Sequence, residues 1–275
     1  MSALPGAAGT QARPIGDYEA FTTFLRRHAG IDLTQHRRRQ MERRIRAFAG
    51  RLGVTSLIEY ATRLADDEQE RSALLDRLAG AGSQLFSSPE QWQRVARTVV
   101  PELVETGHGR IRAWSAGCAR GADAYSLVAT VFSACPEARI EVRATDVDRR
   151  VLSPAWRGGF TAEDVRSAPT DLLDAHFVAT ADEAWRPGPA LTSAVHFHHE
   201  DLLAVEPAPA GYDLVMCRNV VASLTRAARD DVHVRTARSL RRGGYLVIGP
   251  TECIDRPLDE IGLESVSPCT YRKVR

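Results

Sequence analysis

A chain of 275 residues has room for one large domain or two modest ones, each with its own core. Its 36 Lys and Arg against 35 Asp and Glu leave a net charge of +1, so no global field marks nucleic acid or a membrane surface as partner, and charge has to be read locally. The five cysteines (Cys118, Cys135, Cys217, Cys253, Cys269) are scattered and lack C-x-x-C spacing, and no apolar run is long enough to span a bilayer; the reading is a cytoplasmic protein with reduced thiols, without a disulfide framework, a metal site or membrane insertion.

Residues 1–14 lack the apolar core of a signal segment and are expected to be a disordered leader rich in Ala, Gly and Pro. From 15 to 82 the pattern is helical throughout. Tyr18, Phe21, Phe24 and Leu25 form one apolar stripe, closed by Gly30, and Thr34 is the expected N-cap of a basic helix running from His36 to Gly53. That helix sets Met41, Ile45, Phe48 and Leu52 opposite Arg37, Arg38, Arg39, Arg43, Arg44, Arg46 and Arg51. The arginine face reads equally as a solvated surface balanced by Asp66, Asp67, Glu68 and Glu70 or as a docking surface for an acidic partner. Nucleic acid fits poorly, because no aromatic residues interleave with the arginines. Helices over Ser56–Leu64 and Glu70–Leu78 complete a small bundle.

Residues 83–106 are expected to form a linker helix, with Ser87 or Ser88 capping it ahead of Pro89, and with Trp92, Val95, Val99 and Val100 buried. From 107 onward the pattern becomes α/β. Arg110–Trp114 reads as a strand that stops at Ser115-Ala116-Gly117-Cys118-Ala119-Arg120-Gly121; Tyr125, Leu127, Val128, Val131 and Phe132 then recur at helical spacing, and Ile140–Thr145 is a second strand closing on Asp146. This is a βαβ unit whose turn faces a helix N-terminus, with an acid after the second strand able to accept both hydroxyls of a ribose. Only Gly117 and Gly121 are present in the turn, so the G-x-G-x-x-G spacing is missing, which argues against NAD and FAD and for an adenosyl group without a pyrophosphate. A tight turn with no ligand would share the pattern.

A helix carrying Val151, Leu152 and Trp156 follows, ended by Gly158-Gly159, and the irregular stretch 160–193 reads as an insertion. Strands resume at Ala194–His198, ending at Glu200-Asp201-Leu202-Leu203, and at Tyr212–Cys217, ending at Arg218-Asn219-Val220; both finish in polar residues that can face one crevice. Arg226–Leu240 is predicted to be a helix, Arg241-Arg242-Gly243-Gly244 its stop, Tyr245–Gly249 a strand and Glu264–Val274 a closing antiparallel pair. His196 and His198 share a strand face without a third ligand beside them, the pattern of surface or core histidines.

Taken in order, Trp114–Cys118, Gly121-Ala122-Asp123-Ala124-Tyr125-Ser126-Leu127, Ala144-Thr145-Asp146-Val147-Asp148 and Cys217-Arg218-Asn219-Val220 resemble the successive motifs of the CheR family, S-adenosylmethionine-dependent methyltransferases that esterify glutamates on bacterial chemoreceptors. The resemblance runs from about Tyr18 to the C-terminus. It implies an α/β fold, a class I methyltransferase-like (Rossmann-like) seven-stranded mixed sheet over 107–275, preceded by a small all-α N-terminal domain, and S-adenosyl-L-methionine as cofactor. Position by position, it implies that Asp146 holds the ribose, that Asp201 and Leu202 flank the adenine, that Arg218 and Asn219 line the pocket near the methionine part, and that Ser83, Ala116, Gly117 and Asp123 complete the cofactor set. The implied partner is a methyl-accepting chemoreceptor or a similar acidic helical protein, met by the Arg37–Arg51 helix of a monomer. Four departures stand out: Ser87 where the family has an Arg, Ala81 for an Asn, Ala122-Asp123 for Glu-Glu, and Ser223 for an aromatic residue. Loss of a bidentate Arg removes roughly 2–4 kcal/mol of orientation and charge stabilisation. The alternative is therefore a catalytically weakened or inactive cofactor-binding adaptor on the same fold.

Overall fold

The computed structural model describes residues 16–29, 32–79, 84–155, 159–181, 184–204 and 211–275; Ala81, Ser83, Trp156 and the leader lie outside the described residues. The chain divides into two compact units, 1–34 with 38–75, and 35–37 with 76–275.

The first unit contains α1 (Asp17–Ala29), α2 (Arg38–Arg51), α3 (Leu57–Asp66) and the start of α4 (Glu68–Ala79). Phe21, Leu25, Met41, Ile45, Leu57, Tyr60 and Leu64 are buried in it, with the Phe21 and Tyr60 rings stacked at 5.8 Å. Asp17 accepts the free N–H groups of Leu57 (3.1 Å) and Ile58 (2.9 Å) at the start of α3 and pairs with Arg46 (3.1 Å). Burial works against this carboxylate, but those N–H groups and the guanidinium outweigh it and hold its pKa below the usual range.

Thr34 is not the cap of α2. Its N–H is taken by Asp32 (2.8 Å), and α2 starts only at Arg38. The residues between belong to the second unit: Gln35–Arg37 pairs antiparallel with Ser223–Thr225, with Arg37 N–H donating to the Ser223 carbonyl (2.9 Å) and Thr225 N–H to the Gln35 carbonyl (2.7 Å).

After the end of α4, the second unit continues with a helix in three parts: α5 (Pro89–Arg94), a π segment (Val95–Val99) and α6 (Val100–Thr106). Pro101 lacks an N–H and crowds the preceding turn, and the wider turn ahead of it, with Val100 N–H reaching Val95, relieves that crowding. Ser88 does not cap α5 through its side chain, because its backbone is left-handed (φ 60°). Then come β1 (Arg110–Ala116), α7 (Ala122–Ala134), β2 (Arg139–Asp146), α8 (Arg149–Ala155), α9 (Thr170–His176), β3 (Phe177–Ala179), β4 (Trp185–Pro187), α10 (Pro189–Ala194), β5 (Val195–His199), β6 (Tyr212–Cys217), α11 (Arg226–Ser239), β7 (Leu240–Ile248), β8 (Leu263–Ser267) and β9 (Thr270–Lys273). Strands β3 and β4 form a separate antiparallel pair within 160–193.

Seven strands form one mixed sheet in the order β5-β2-β1-β6-β7-β9-β8, parallel from β5 to β7 and antiparallel beyond. Alternating residues feed two cores. Ile111, Ala113, Leu214, Met216 and Val247 join the side chains of α5, α6 and α7 on one face; Trp114, Ala116, Val215, Cys217, Leu246 and Ile248 meet Ala228, Val232 and Ala237 of α11 on the other. The chain steps to one side of β1 for β2 and to the other for β6, so the switch point of this sheet lies at the carboxyl ends of β1 and β6.

The stop predicted at Arg241–Gly244 is instead part of β7. Leu240 pairs with Tyr212 and Tyr245 with Leu214, so Arg241–Gly244 bulge out opposite Asp213. Gly243 takes φ +79°, and a Cβ on Gly244 would sit 3.0 Å from the carbonyl oxygens of Arg241, Tyr212 and Asp213.

Candidate functional site

The turn after β1 is built from left-handed residues: Gly117 (φ 66°), Ala119 (φ 46°) and Gly121 (φ 85°). This coils the backbone into a compact cradle at the start of α7, where Cys118 N–H donates to the Thr145 carbonyl (2.9 Å). A side chain on Gly121 would strike the Phe197 ring (2.7 Å), and one on Gly117 would strike Val220 (2.5 Å). Both glycines are therefore required by what packs against them.

Asp146 ends β2 beside this turn. Its Oδ2 accepts from Ala119 N–H (2.8 Å) and its Oδ1 from Asp148 N–H (2.9 Å), while its carbonyl accepts from Glu200 N–H (3.0 Å). Burial raises the Asp146 pKa above the usual value, with the backbone donors pulling the other way. Each carboxylate oxygen takes one backbone bond and keeps acceptor capacity for a second, which is what a vicinal diol needs. The link to Glu200 brings the β5 loop to the same edge. There Asp201 accepts the N–H of Leu203 (2.8 Å), and Leu202 packs half-buried against the α11-side core.

A second charged group sits at the start of α7. Asp123 pairs with Arg218, which follows β6; the Arg218 side chain is 0% exposed and that of Asp123 22%. The guanidinium is committed all round: Nε donates to Gln91 Oε1 (2.9 Å), Nη2 to the Ser87 carbonyl (2.7 Å) and hydroxyl (3.2 Å), and its Cζ lies 5.1 Å from the centroid of the Trp92 ring. Asp123 is thus the accessible member of the pair. Burial raises its pKa, and the neighbouring guanidinium counteracts that. Ser87, the departure from the family's Arg, accepts from Arg218 with both its carbonyl and its hydroxyl.

Between these groups runs the loop Arg218-Asn219-Val220-Val221. Asn219 is exposed and left-handed (φ 61°). Its backbone is held by a residue that reading the sequence passed over: Glu252 accepts the N–H groups of Asn219 (3.0 Å) and Gly249 (2.8 Å) on one oxygen and that of Val221 (3.0 Å) on the other. Gln91 was also missed; its amide nitrogen donates to the Ile248 carbonyl (2.8 Å) while its oxygen serves Arg218. A signal for Glu252 existed, since it is an acid just past the end of a parallel strand. None existed for Gln91, which faces inward from a helix.

Of the residues singled out from the sequence, Ala116, Gly117, Asp146, Asp201, Leu202, Arg218 and Asn219 fall at the carboxyl edge of the parallel strands or in the loops that leave it, and Asp123 in the first turn of α7; Ser83 lies outside the described residues. This donor set suits S-adenosylmethionine. A carboxylate with spare acceptor sites suits a pair of ribose hydroxyls, and a carboxylate paired with a buried guanidinium suits an ammonium group.

Residues 82–266 match the family described as CheR methyltransferase, SAM binding domain, and residues 16–79 match CheR methyltransferase, all-alpha domain. A chemotaxis protein methyltransferase of Listeria innocua is 29% identical over 257 residues, covering 94% of this chain and 97% of its own. Chemotaxis protein methyltransferase 1 of Pseudomonas aeruginosa is 27% identical over 261 residues (92% and 95%). The probable biofilm formation methyltransferase WspC, also of P. aeruginosa, is 29% identical over 238 residues, covering 85% of this chain and 56% of its own. The chain belongs to the CheR family of S-adenosylmethionine-dependent methyltransferases.

Proposed function

We propose that this protein transfers the methyl group of S-adenosylmethionine to glutamate carboxylates of a chemoreceptor-like protein. The observation that carries the reading is the Asp146 carboxylate, braced by two backbone N–H groups at a strand tip beside the coiled turn, with acceptor capacity left over. When bound, S-adenosylmethionine supplies a sulfonium methyl carbon open to in-line attack by a carboxylate. The accepting glutamate is already ionised, so the protein's task is to orient and desolvate, and no strong base is needed.

In this reading Asp146 accepts from the ribose hydroxyls, Asp201 and Leu202 flank the adenine, and Ala116 and Gly117 let the backbone approach the cofactor. Asp123 meets the amino group and is held in place by Arg218; Asn219 faces the methionine part, and Ser83 adds a hydroxyl. The all-α domain (15–82) presents the Arg37–Arg51 helix to the acidic receptor, the 83–106 helix links it to the methyltransferase domain, and the monomer works in the cytoplasm. Support for the docking face comes from Arg39, Arg43 and Arg51, which are exposed and make no ion pair among the described residues. The test is transfer of a radiolabelled methyl group to a receptor cytoplasmic fragment. Label released by mild base is the expected result, and no base-labile label would overturn the proposal.

A further inference from the structure

We infer that Glu252 is a positioning residue for methyl transfer, fixing the loop that presents Asn219 to the reacting groups. The inference rests on the reading of the site given above. The ladder between β6 and β7 ends at Cys217 opposite Ile248. Just past it, the N–H groups of Asn219 and Gly249 converge on Glu252 Oε2 at 3.0 and 2.8 Å, and Val221 N–H meets Oε1 at 3.0 Å. One carboxylate thus takes over where the ladder stops and joins the tips of two neighbouring strands.

The surroundings leave the loop no other place. A Cβ on Gly249 would lie 2.6 Å from Asn219 Oδ1 and 2.7 Å from Glu252 Oε2; on the opposite side a Cβ on Gly117 would lie 2.5 Å from Val220 Cγ2. The loop is threaded between two strand tips stripped of side chains. Within it Arg218 is buried and Asn219 exposed, so Asn219 is the residue a ligand meets, and its left-handed backbone is the conformation that turns its N–H onto Glu252. Glu252 is only 9% exposed, and an anion with three N–H donors satisfies that burial where a neutral amide would not. A glutamine can offer its oxygen to one side of the loop only and must turn its NH2 donor toward the N–H groups on the other, which weakens the hold on the loop.

The experiment compares Glu252→Gln and Glu252→Asp with Asp213→Asn. Asp213 is a comparably buried carboxylate (8% exposed) at the far end of β6, where it accepts from Arg112 N–H and Arg241, so its variant loses stability without touching the loop. In E252Q, amide exchange at Asn219, Val221 and Gly249 in the cofactor-free protein is expected to rise at least tenfold, S-adenosylhomocysteine affinity to fall about tenfold and kcat to fall further than KM rises, on the scale of one lost charge-assisted hydrogen bond. E252D recovers part of each, and D213N lowers Tm while keeping Kd and kcat. Wild-type exchange, affinity and kcat in E252Q would overturn the inference, as would equal losses in D213N. If the wild-type protein bound no S-adenosylhomocysteine, the cofactor reading would fall, and unchanged amide exchange in E252Q and E252D would still decide against Glu252.

Discussion

In the proposed site Asp146 serves both the protein and the cofactor with one carboxylate. Its bonds to Ala119 and Asp148 shape the turn, and its remaining lone pairs are the acceptors proposed for the ribose diol. Asp146→Ala is therefore expected to weaken S-adenosylhomocysteine binding by about 1.5–3 kcal/mol, measured by calorimetry, with the fold intact by circular dichroism. His233 is the opposite case, a buried group without a hydrogen-bond partner among the described residues. It is 0% exposed, neither ring nitrogen has a partner among the described residues, and burial pushes its pKa down to about 4. The unfolded chain takes up this proton near pH 6.5 and the folded chain only near 4. Stability is thus fully present above about pH 6.5 and declines as pH falls toward 4. His233→Leu should remove that decline, gaining about 2 kcal/mol relative to wild type at pH 5 beyond any change at pH 7.5, read from urea unfolding at the two pH values. A constant difference between the two would contradict it.

At the scale of elements, α3 depends on a residue from another helix. Asp17 caps it by accepting from Leu57 and Ile58, so Asp17→Ala should cost about 1–2 kcal/mol. Because the folded pKa of Asp17 is depressed, that contribution is present above the ordinary carboxylate range and fades as pH falls through the folded value, so wild type and variant should converge in acid denaturation. Local pattern sufficed for the βαβ unit, since alternating apolar residues, small turn residues and a helical repeat all act over a few positions. It failed where the partner is remote. Thr34 looked like a cap because nothing nearby shows that Gln35–Arg37 pairs with a segment 187 residues away. Gly243-Gly244 looked like a stop because a bulge and a helix end call for the same residues. Arg218 was legible as polar at a strand tip; its burial against Asp123, Gln91 and Ser87 depends on three other elements at once.

For the whole molecule, a net charge of +1 means that recognition of an acidic partner has to come from a concentrated patch rather than an overall field. In the proposed docking role the exposed Arg39, Arg43 and Arg51 of α2 supply that patch. Reversing the three to Glu should raise KM for a receptor fragment at least tenfold at low ionic strength, with the difference shrinking as salt is added and S-adenosylhomocysteine affinity unchanged. The sheet contributes the other half of the account. Five parallel strands deliver their carboxyl ends to one edge, and every described residue of the proposed cofactor set is found at that edge, in the loops that leave it or in the first turn of α7. Hydrogen–deuterium exchange with and without S-adenosylhomocysteine tests this most directly. The account predicts protection confined to peptides covering 116–123, 146–148, 201–203 and 218–221; protection elsewhere on the sheet domain with these four unchanged, or none at all, would contradict it.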